Sequence, residues 1–136
     1  MRENLDIYDA VRNAAARAEP LGHTRYKHSS AIISSKGKTL AIGRNHYRGE
    51  IIAADDGHPI HKTVHSEIHA LTKVNVRRLS GAIMVNYACT TNAGNAVVSR
   101  PCDICWAILR KLGFKKIVYS LHASVNGPYR WKEELF

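Results

Sequence analysis

The sequence predicts an α/β fold: a three-layer α/β/α sandwich whose helices pack against one mixed sheet of about five strands. Three observations predict it. Helical and strand-like segments follow one another in the order α-β-β-α-β-α-β, as in α/β domains. The segment GAIMVNYACT, residues 81–90, is almost continuously apolar, as expected of a strand buried on both faces. The length of 136 residues suits one core, so residues 1–136 are expected to form a single domain.

The first helix and the first hairpin are predicted from the N-terminal third of the chain. Apolar residues recur at helical spacing until Pro20 and Gly22, which end the segment. These apolar residues are Leu5, Tyr8, Val11, Ala15 and Ala18. Two β-prone apolar runs then flank SKGK, residues 35–38, which predicts a β-hairpin. Residues 48–62 are polar and contain Gly-His-Pro, so a loop is expected there.

The middle of the chain predicts a helix and the buried strand. The segment HSEIHALTKV has Ile68, Leu71 and Val74 at spacings of three, which suits a helix that begins near His65. The apolar strand of residues 81–90 follows. Residues 91–101 are loop-like, and NAVV within them is expected to extend that strand.

The last part of the chain predicts one more helix and one more strand. Residues 102–114, CDICWAILRKLGF, suit a helix that ends near Gly113. Its apolar face is expected to carry Ile104, Ala107, Ile108 and Leu112. KKIVYS, residues 115–120, predicts the final strand, and the tail of residues 122–136 is expected to add a short helix.

Composition narrows the classes of function. There are 20 Lys and Arg against 11 Asp and Glu, a net charge of +9, which favours polyanionic partners or phosphorylated substrates. The basic residues are dispersed, so a soluble basic surface is an equally good interpretation. No apolar run approaches the roughly 18 residues that span a bilayer, so no membrane partner is expected. With 3 cysteines and no signal peptide, a reducing, cytoplasmic location is expected.

Two short segments carry metal-binding side chains at the starts of two predicted helices. One contains His65 and Glu67, and the other contains Pro101, Cys102 and Cys105. In Cys-x-x-Cys at a helix start both sulfurs reach one point, and the helix dipole favours the thiolates that bind metal. A histidine from a neighbouring helix completes three protein ligands. Three ligands with one open position are what a catalytic Zn²⁺ requires.

Glu67 favours a catalytic site over a structural one. It lies two residues after His65, close to the metal but not needed as a ligand. A carboxylate beside an open zinc position can move a proton from water to a substrate nitrogen. The alternative is a helix cap with two buried thiols. His69, at i+4 from His65, could also bind metal, but we expect it to face the hydrophobic layer or a subunit contact.

HSE followed by PCDIC resembles the H-x-E…P-C-x-x-C signature of the zinc-dependent cytidine/deoxycytidylate deaminase superfamily. The resemblance implies the cytidine deaminase type of fold and a Zn²⁺ ion bound by His65, Cys102 and Cys105. It also implies that a zinc-bound hydroxide attacks C4 of cytosine, with Glu67 as the proton shuttle, and that ammonia leaves. The aromatic Trp106 after the second cysteine is closer to the deoxycytidylate and nucleic-acid deaminase branches, since the free-cytidine type usually has arginine there.

The same resemblance suggests substrate contacts. Gly43-Arg44-Asn45 matches the family's Gly-x-Asn, so Asn45 is expected to contact sugar or base. Ser66 replaces the usual alanine and keeps a small residue whose backbone N–H could face the base carbonyl. The other expected substrate-binding residues lie at the rim of the site or at a strand end, and they are His28, Pro101 and Tyr119.

A nucleotide is therefore the expected small-molecule substrate, with conversion of dCMP to dUMP as the leading hypothesis. The alternative is deamination of cytosine or adenine in single-stranded DNA or RNA, including tRNA, which the net charge of +9 and the aromatic-basic tail YRWKEELF suggest. A third hypothesis is a non-catalytic zinc-containing module, against which the intact Glu67 argues. By analogy with the superfamily, a homo-oligomer is expected.

Overall fold

The computed structural model describes residues 7–13, 26–53, 59–91 and 93–136. Residues 7–13 are helical and are called α1. The other helices are α2 (Ser66–Leu71), α3 (Asp103–Lys111) and a 3₁₀ turn at Val76–Arg78. The strands are β1 (Tyr26–Ile33), β2 (Thr39–Arg44), β3 (His46–Ala53), β4 (Pro59–Val64), β5 (Ile83–Thr90), β6 (Ala96–Val97), β7 (Lys116–Ser120) and β8 (Trp131–Leu135). In the described part of the chain, no helix is long and apolar enough to cross a membrane.

The main sheet has six strands in the order β2-β1-β5-β7-β8, with β6 paired to β5 beside this path. The β5–β7 pair is parallel, whereas the β1–β2, β1–β5, β5–β6 and β7–β8 pairs are antiparallel. The prediction of a mixed sheet is thus confirmed. The prediction of a β-hairpin around SKGK is also confirmed, because Ser34 N–H donates to Lys38 O (2.8 Å) and Gly37 turns the chain with φ 88°.

The two faces of the main sheet carry separate hydrophobic clusters, as a three-layer fold requires. Side chains alternate along β1, so Ala31 and Ile33 face one side and Ile32 faces the other. The first side packs against Ile7 and Val11 of α1. The second side packs against α2 and α3 through buried residues that include Ala70, Met84, Leu109 and Ile117. Both metal-binding segments precede or begin helices of this second layer.

The expected loop at residues 48–62 is wrong for most of its length. β3 and β4 occupy this region and form a separate antiparallel pair, in which Ile52 lies opposite Ile60 and Ile51 opposite His61. The isoleucines have a high strand propensity. Their pairing outweighs the polar composition that suggested a loop, and residues 54–58 of the expected loop lie outside the described residues.

NAVV does not extend β5 as predicted. Ala96 and Val97 form β6, which turns back and pairs with Cys89 and Ala88 of β5. Gly94 makes this turn possible, because its φ of 73° is a conformation that other residues rarely adopt.

The C-terminal tail is a strand and not the predicted helix. β8 pairs antiparallel with β7 and so forms an edge of the main sheet. Trp131 stacks on Tyr8 at 4.4 Å on the α1 side. Phe136 packs against Trp106 at 4.6 Å on the other side. Aromatic burial on both faces therefore overrides the helix-forming character of the Glu-Glu-Leu sequence.

The predicted α3 is confirmed, but its buried face is rotated from the expected one. Cys105 and Leu109 are buried, whereas Ile104 is 73% exposed. The helix ends before Gly113, whose φ is 89°, as expected for a glycine after a C-cap. The rotation matters for the site, because it directs Cys105 inward.

Candidate metal centre and active site

The fold brings together the three predicted metal-binding side chains. His65 is the N-cap of α2, and Cys102 is the N-cap of α3. The Cys105 sulfur lies 3.4 Å from His65 Nδ1, and the Cys102 sulfur lies 3.8 Å from the same nitrogen. All three donor atoms fall within 4.8 Å of one another. A group of this kind could hold one metal ion.

The local conformation of the cysteine segment explains why its two sulfurs converge. Cys102 has an extended backbone (φ −65°, ψ 164°), as usual for an N-cap. Its sulfur accepts the N–H of Cys105 at 3.5 Å. This cap turns the Cys102 side chain back over the first helical turn, where Cys105 also points. Pro101 immediately precedes the cap and is buried.

The donor set fits a tetrahedral zinc ion. Zn–S distances of about 2.3 Å and Zn–N distances of about 2.0 to 2.1 Å place nitrogen and sulfur about 3.6 Å apart at a tetrahedral centre. The observed separations of 3.4 and 3.8 Å lie on either side of this value. Burial raises the pKa of the Cys105 thiol, and the nearby Glu67 carboxylate raises it further. A bound cation would counter both effects, since thiols coordinate as thiolates.

A cavity of about 210 Å³ opens beside these donors. Four of the five predicted substrate-binding residues line it, together with Glu67, and they are His28, Asn45, Ser66 and Pro101. Tyr119 is the fifth and is not among the lining residues. Its hydroxyl instead donates to Glu134 at 2.8 Å, and burial and this hydrogen bond raise its pKa.

Asn45 combines a fixed side chain with an unused donor. Its Oδ1 accepts the His28 backbone N–H at 2.9 Å, and its own N–H donates to the His28 carbonyl at 3.1 Å. Its Nδ2 is buried, and no hydrogen-bond partner for it occurs among the described residues. A buried amide without a partner costs about 1–3 kcal/mol. Asn45 therefore offers a preoriented donor to a molecule in the cavity.

The His28 side chain contributes a neutral imidazole to the wall. Burial lowers its pKa; the Glu67 carboxylate opposes this shift, and His65 adds to it. A lowered pKa keeps the ring uncharged near neutral pH. One ring nitrogen can then accept a hydrogen bond while the other donates.

Glu67 is 7% exposed and is held through both carboxylate oxygens. Asn86 Nδ2 donates to Oε2 at 3.2 Å, and the Ser66 hydroxyl donates to Oε1 at 3.1 Å. The carboxylate thus lies in the cavity wall near the three metal-binding donors with a fixed orientation. Such a group can accept a proton from water and return it to a substrate nitrogen.

His69 is engaged elsewhere. Its Nδ1 accepts the backbone N–H of Arg44 at 2.9 Å. The ring is therefore turned toward β2 and links α2 to the edge of the sheet. This polar link within the chain replaces the expected contact with the hydrophobic layer, and the alternative contact with another subunit stays a prediction.

Five residues of the cavity wall are not predicted from the sequence, and they are Ser29, Asn86, Tyr87, Ser99 and Arg100. Asn86 is a polar side chain in the middle of the largely apolar strand β5, and this contrast is the available signal. Arg100 directly precedes Pro101; its Nε donates to Glu134 at 2.8 Å, and its guanidinium lies 4.2 Å from the Trp106 ring centre. Glu134 is 34 residues away, so no local pattern indicated this pair.

Comparisons with known proteins give one family match and matches to solved structures. A family model described as the cytidine and deoxycytidylate deaminase zinc-binding region matches residues 1–121. The structure of cytidine deaminase from Burkholderia pseudomallei superposes with a TM-score of 0.53 and 18% identity, over 91% of this chain and 87% of that chain. That of cytidine deaminase from Mycobacterium leprae gives 0.49 and 16%, over 93% and 92%. No curated protein matches the chain in sequence.

Proposed function

Because the chain belongs to the cytidine and deoxycytidylate deaminase zinc-binding family, we propose that it hydrolyses the exocyclic amine of a cytosine nucleotide. The leading candidate reaction converts dCMP and water to dUMP and ammonia. One observation carries the proposal: Glu67 lies in the wall of the same cavity as His65 and Cys102. An ordinary helix cap with two thiols would not require a buried carboxylate at this point.

The residues of the site have different roles in the proposed reaction. His65, Cys102 and Cys105 would hold Zn²⁺, which supplies Lewis-acid activation of a water molecule when bound. Glu67 takes a proton from the attacking water and delivers it to the departing nitrogen. Asn45 Nδ2 donates to an oxygen of the substrate.

Arg100 supports a phosphorylated substrate over a free nucleoside. Arg100 is a residue of the cavity wall, and its Nε–H donates to Glu134. Arginine carries further N–H donors in a planar fork, which suits a phosphate group. Replacing Arg100 by alanine should raise the KM for dCMP about tenfold or more and leave that for deoxycytidine unchanged, since one charged hydrogen bond contributes roughly 1.5–3 kcal/mol.

A substrate panel tests the proposal. Zinc-loaded protein is incubated with dCMP, dCTP, cytidine and deoxycytidine, and the loss of cytosine absorbance is followed. We expect turnover of a nucleotide and its loss in Glu67→Gln, which keeps the side-chain size but removes the acid. Absence of turnover on all four compounds would refute deamination of free cytosine compounds.

Deamination of single-stranded nucleic acid is the second candidate, supported by the net charge of +9. The tail supports this candidate less strongly, because one face of the Trp131 ring is stacked on Tyr8. Cytosine- and adenine-containing oligonucleotides added to the same panel decide between the two. Editing with affinity that falls steeply with salt would favour this candidate. The cytoplasmic location and the homo-oligomeric assembly stay predictions.

A further inference from the structure

We propose that Ser30 and Asn86 are positioning residues, which together with Ser66 close a polar ring that fixes the carboxylate of Glu67. The inference rests on the proposed function in so far as Glu67 moves the proton. It concerns two side chains outside the H-x-E and P-C-x-x-C segments, on the central strands β1 and β5.

The ring consists of four side chains in hydrogen-bond contact. Ser30 and Asn86 are opposite partners in the β1–β5 ladder, and the Ser30 hydroxyl donates to Asn86 Oδ1 at 2.7 Å. The Ser30 and Ser66 hydroxyls lie 2.7 Å apart; because the Ser30 proton points to Asn86, the one Ser66 proton has two acceptors, the Ser30 oxygen and Glu67 Oε1. Ser66 reaches Glu67 Oε1 at 3.1 Å, and Asn86 Nδ2 reaches Oε2 at 3.2 Å. All four residues are buried.

The contacts of Asn86 determine the orientation of its amide. Nδ2 donates to Glu67 Oε2 and also to the Ser99 carbonyl, each at 3.2 Å. Oδ1 accepts from Ser30. The reversed amide would place Oδ1 against two acceptor oxygens, so the hydrogen-bond network permits one orientation. A single orientation of Asn86 gives Glu67 a donor in a fixed place.

Packing alone does not explain polar residues at these two positions. On the same face of the sheet, the neighbouring residues Ile32 and Met84 are fully buried and apolar. Apolar residues would fill this layer without the cost of burying polar groups. The polar network at these positions has a function in our proposal: it holds the Glu67 carboxylate, which would otherwise rotate about its terminal torsion.

Orientation of Glu67 affects the rate more than substrate binding. A proton acceptor must stay within hydrogen-bond reach of the water and of the leaving nitrogen. A displacement of about 1 Å in a reacting group can lower the rate on the order of 100-fold. Removing the ring should therefore lower kcat while KM and bound zinc stay close to those of the wild type.

The test uses Asn86→Ala and Ser30→Ala, singly and combined, in the full chain loaded with zinc. We expect kcat to fall roughly 10- to 100-fold in each variant, with KM changed by less than about threefold. The double variant should lose less than the product of the single losses, because both act through one ring. Ser34→Ala is the matched control: Ser34 directly follows β1 and is not among the cavity-lining residues, and its hydroxyl accepts the N–H groups of Lys36 and Lys38 in the hairpin turn instead. Its kcat should stay unchanged even if its melting temperature falls.

Crystal structures of zinc-loaded wild type and Ser30→Ala provide a readout that does not need turnover. We expect the Glu67 carboxylate to adopt one ordered conformation in the wild type. In the variant we expect it to be rotated or to occupy more than one conformation. An inactive wild type would overturn the proposed function, and the crystallographic comparison would still decide the positioning role. An unmoved carboxylate, or a kcat no lower than that of Ser34→Ala, would overturn the inference.

Discussion

Replacement of Gly43 by alanine should disturb the active site from the strand behind it. Gly43 lies in β2 where the backbone of α2 crosses. A Cβ atom on residue 43 would lie 2.3 Å from the Ala70 backbone nitrogen and 2.5 Å from the Ser66 carbonyl oxygen. Both neighbours are helix backbone and cannot rotate away as a side chain would. The alanine variant can therefore be accommodated only if α2 moves.

The required movement sets the expected magnitude. Non-bonded contacts at a Cβ begin near 3.4 Å, so α2 must withdraw by about 1 Å. Overpacking of this kind costs about 1–3 kcal/mol of the free energy of unfolding. For a chain of this size that corresponds to a fall in melting temperature of roughly 4–12 °C. Glu67 moves with α2, so kcat should also fall on the order of 100-fold.

Thermal unfolding and turnover of the substrate identified in the panel measure these effects. Gly127→Ala is the control: its new Cβ would meet Ser124 at an ordinary 3.6 Å, and its backbone requires no left-handed conformation. The control should differ from wild type by less than about 0.5 kcal/mol and keep full activity. If Gly43→Ala matched Gly127→Ala in both measurements, the close approach of α2 to β2 would be refuted.

Three further predictions concern the metal centre and the core. His69→Ala should lower the free energy of unfolding by about 1 kcal/mol, because it removes the hydrogen bond to Arg44. Elemental analysis should find stoichiometric zinc in His69→Ala and a loss of zinc in His65→Ala. Zinc affinity, measured in competition titrations, should rise steadily from pH 6 to 9. The pKa of the Cys105 thiol is raised, so protons compete with zinc for its sulfur throughout that range. An affinity independent of pH would contradict this prediction. Leu109→Ala should cost about 2–5 kcal/mol in urea unfolding, and Ile104→Ala, at an exposed site, less than about 0.5 kcal/mol.

The two cysteines of the candidate metal centre could be predicted because their geometry is local. Cys-x-x-Cys at a helix start converges through the capping turn of Cys102 itself. The buried strand β5 could also be predicted, since an apolar run of that length has few alternative structures. The β8 strand was not, because its conformation depends on β7 and on aromatic contacts with distant residues such as Tyr8.

The polar contacts around the cavity could not be predicted from the sequence for a related reason. Asn86 is adjacent to Ser30 only after β1 and β5 pair, across 56 residues of chain. Arg100 meets Glu134 only after β8 joins the sheet edge. A sequence motif identifies the residues that contact the metal or the substrate. The side chains that orient them are selected by tertiary pairing, which leaves no fixed spacing in the sequence.

The helix α2 shows why that support matters. It has 6 residues, whereas isolated helices shorter than about 12–15 residues are marginal in water. Its place is therefore set by contacts from the sheet, namely Gly43 beneath it, the Arg44–His69 bond at its side and the Ser30–Ser66 bond at its start. Cys102 and Cys105 lie at the start of α3, which none of these contacts involves. The position of Glu67 should hence respond to changes in β1 and β2 more strongly than the cysteine half of the metal centre does.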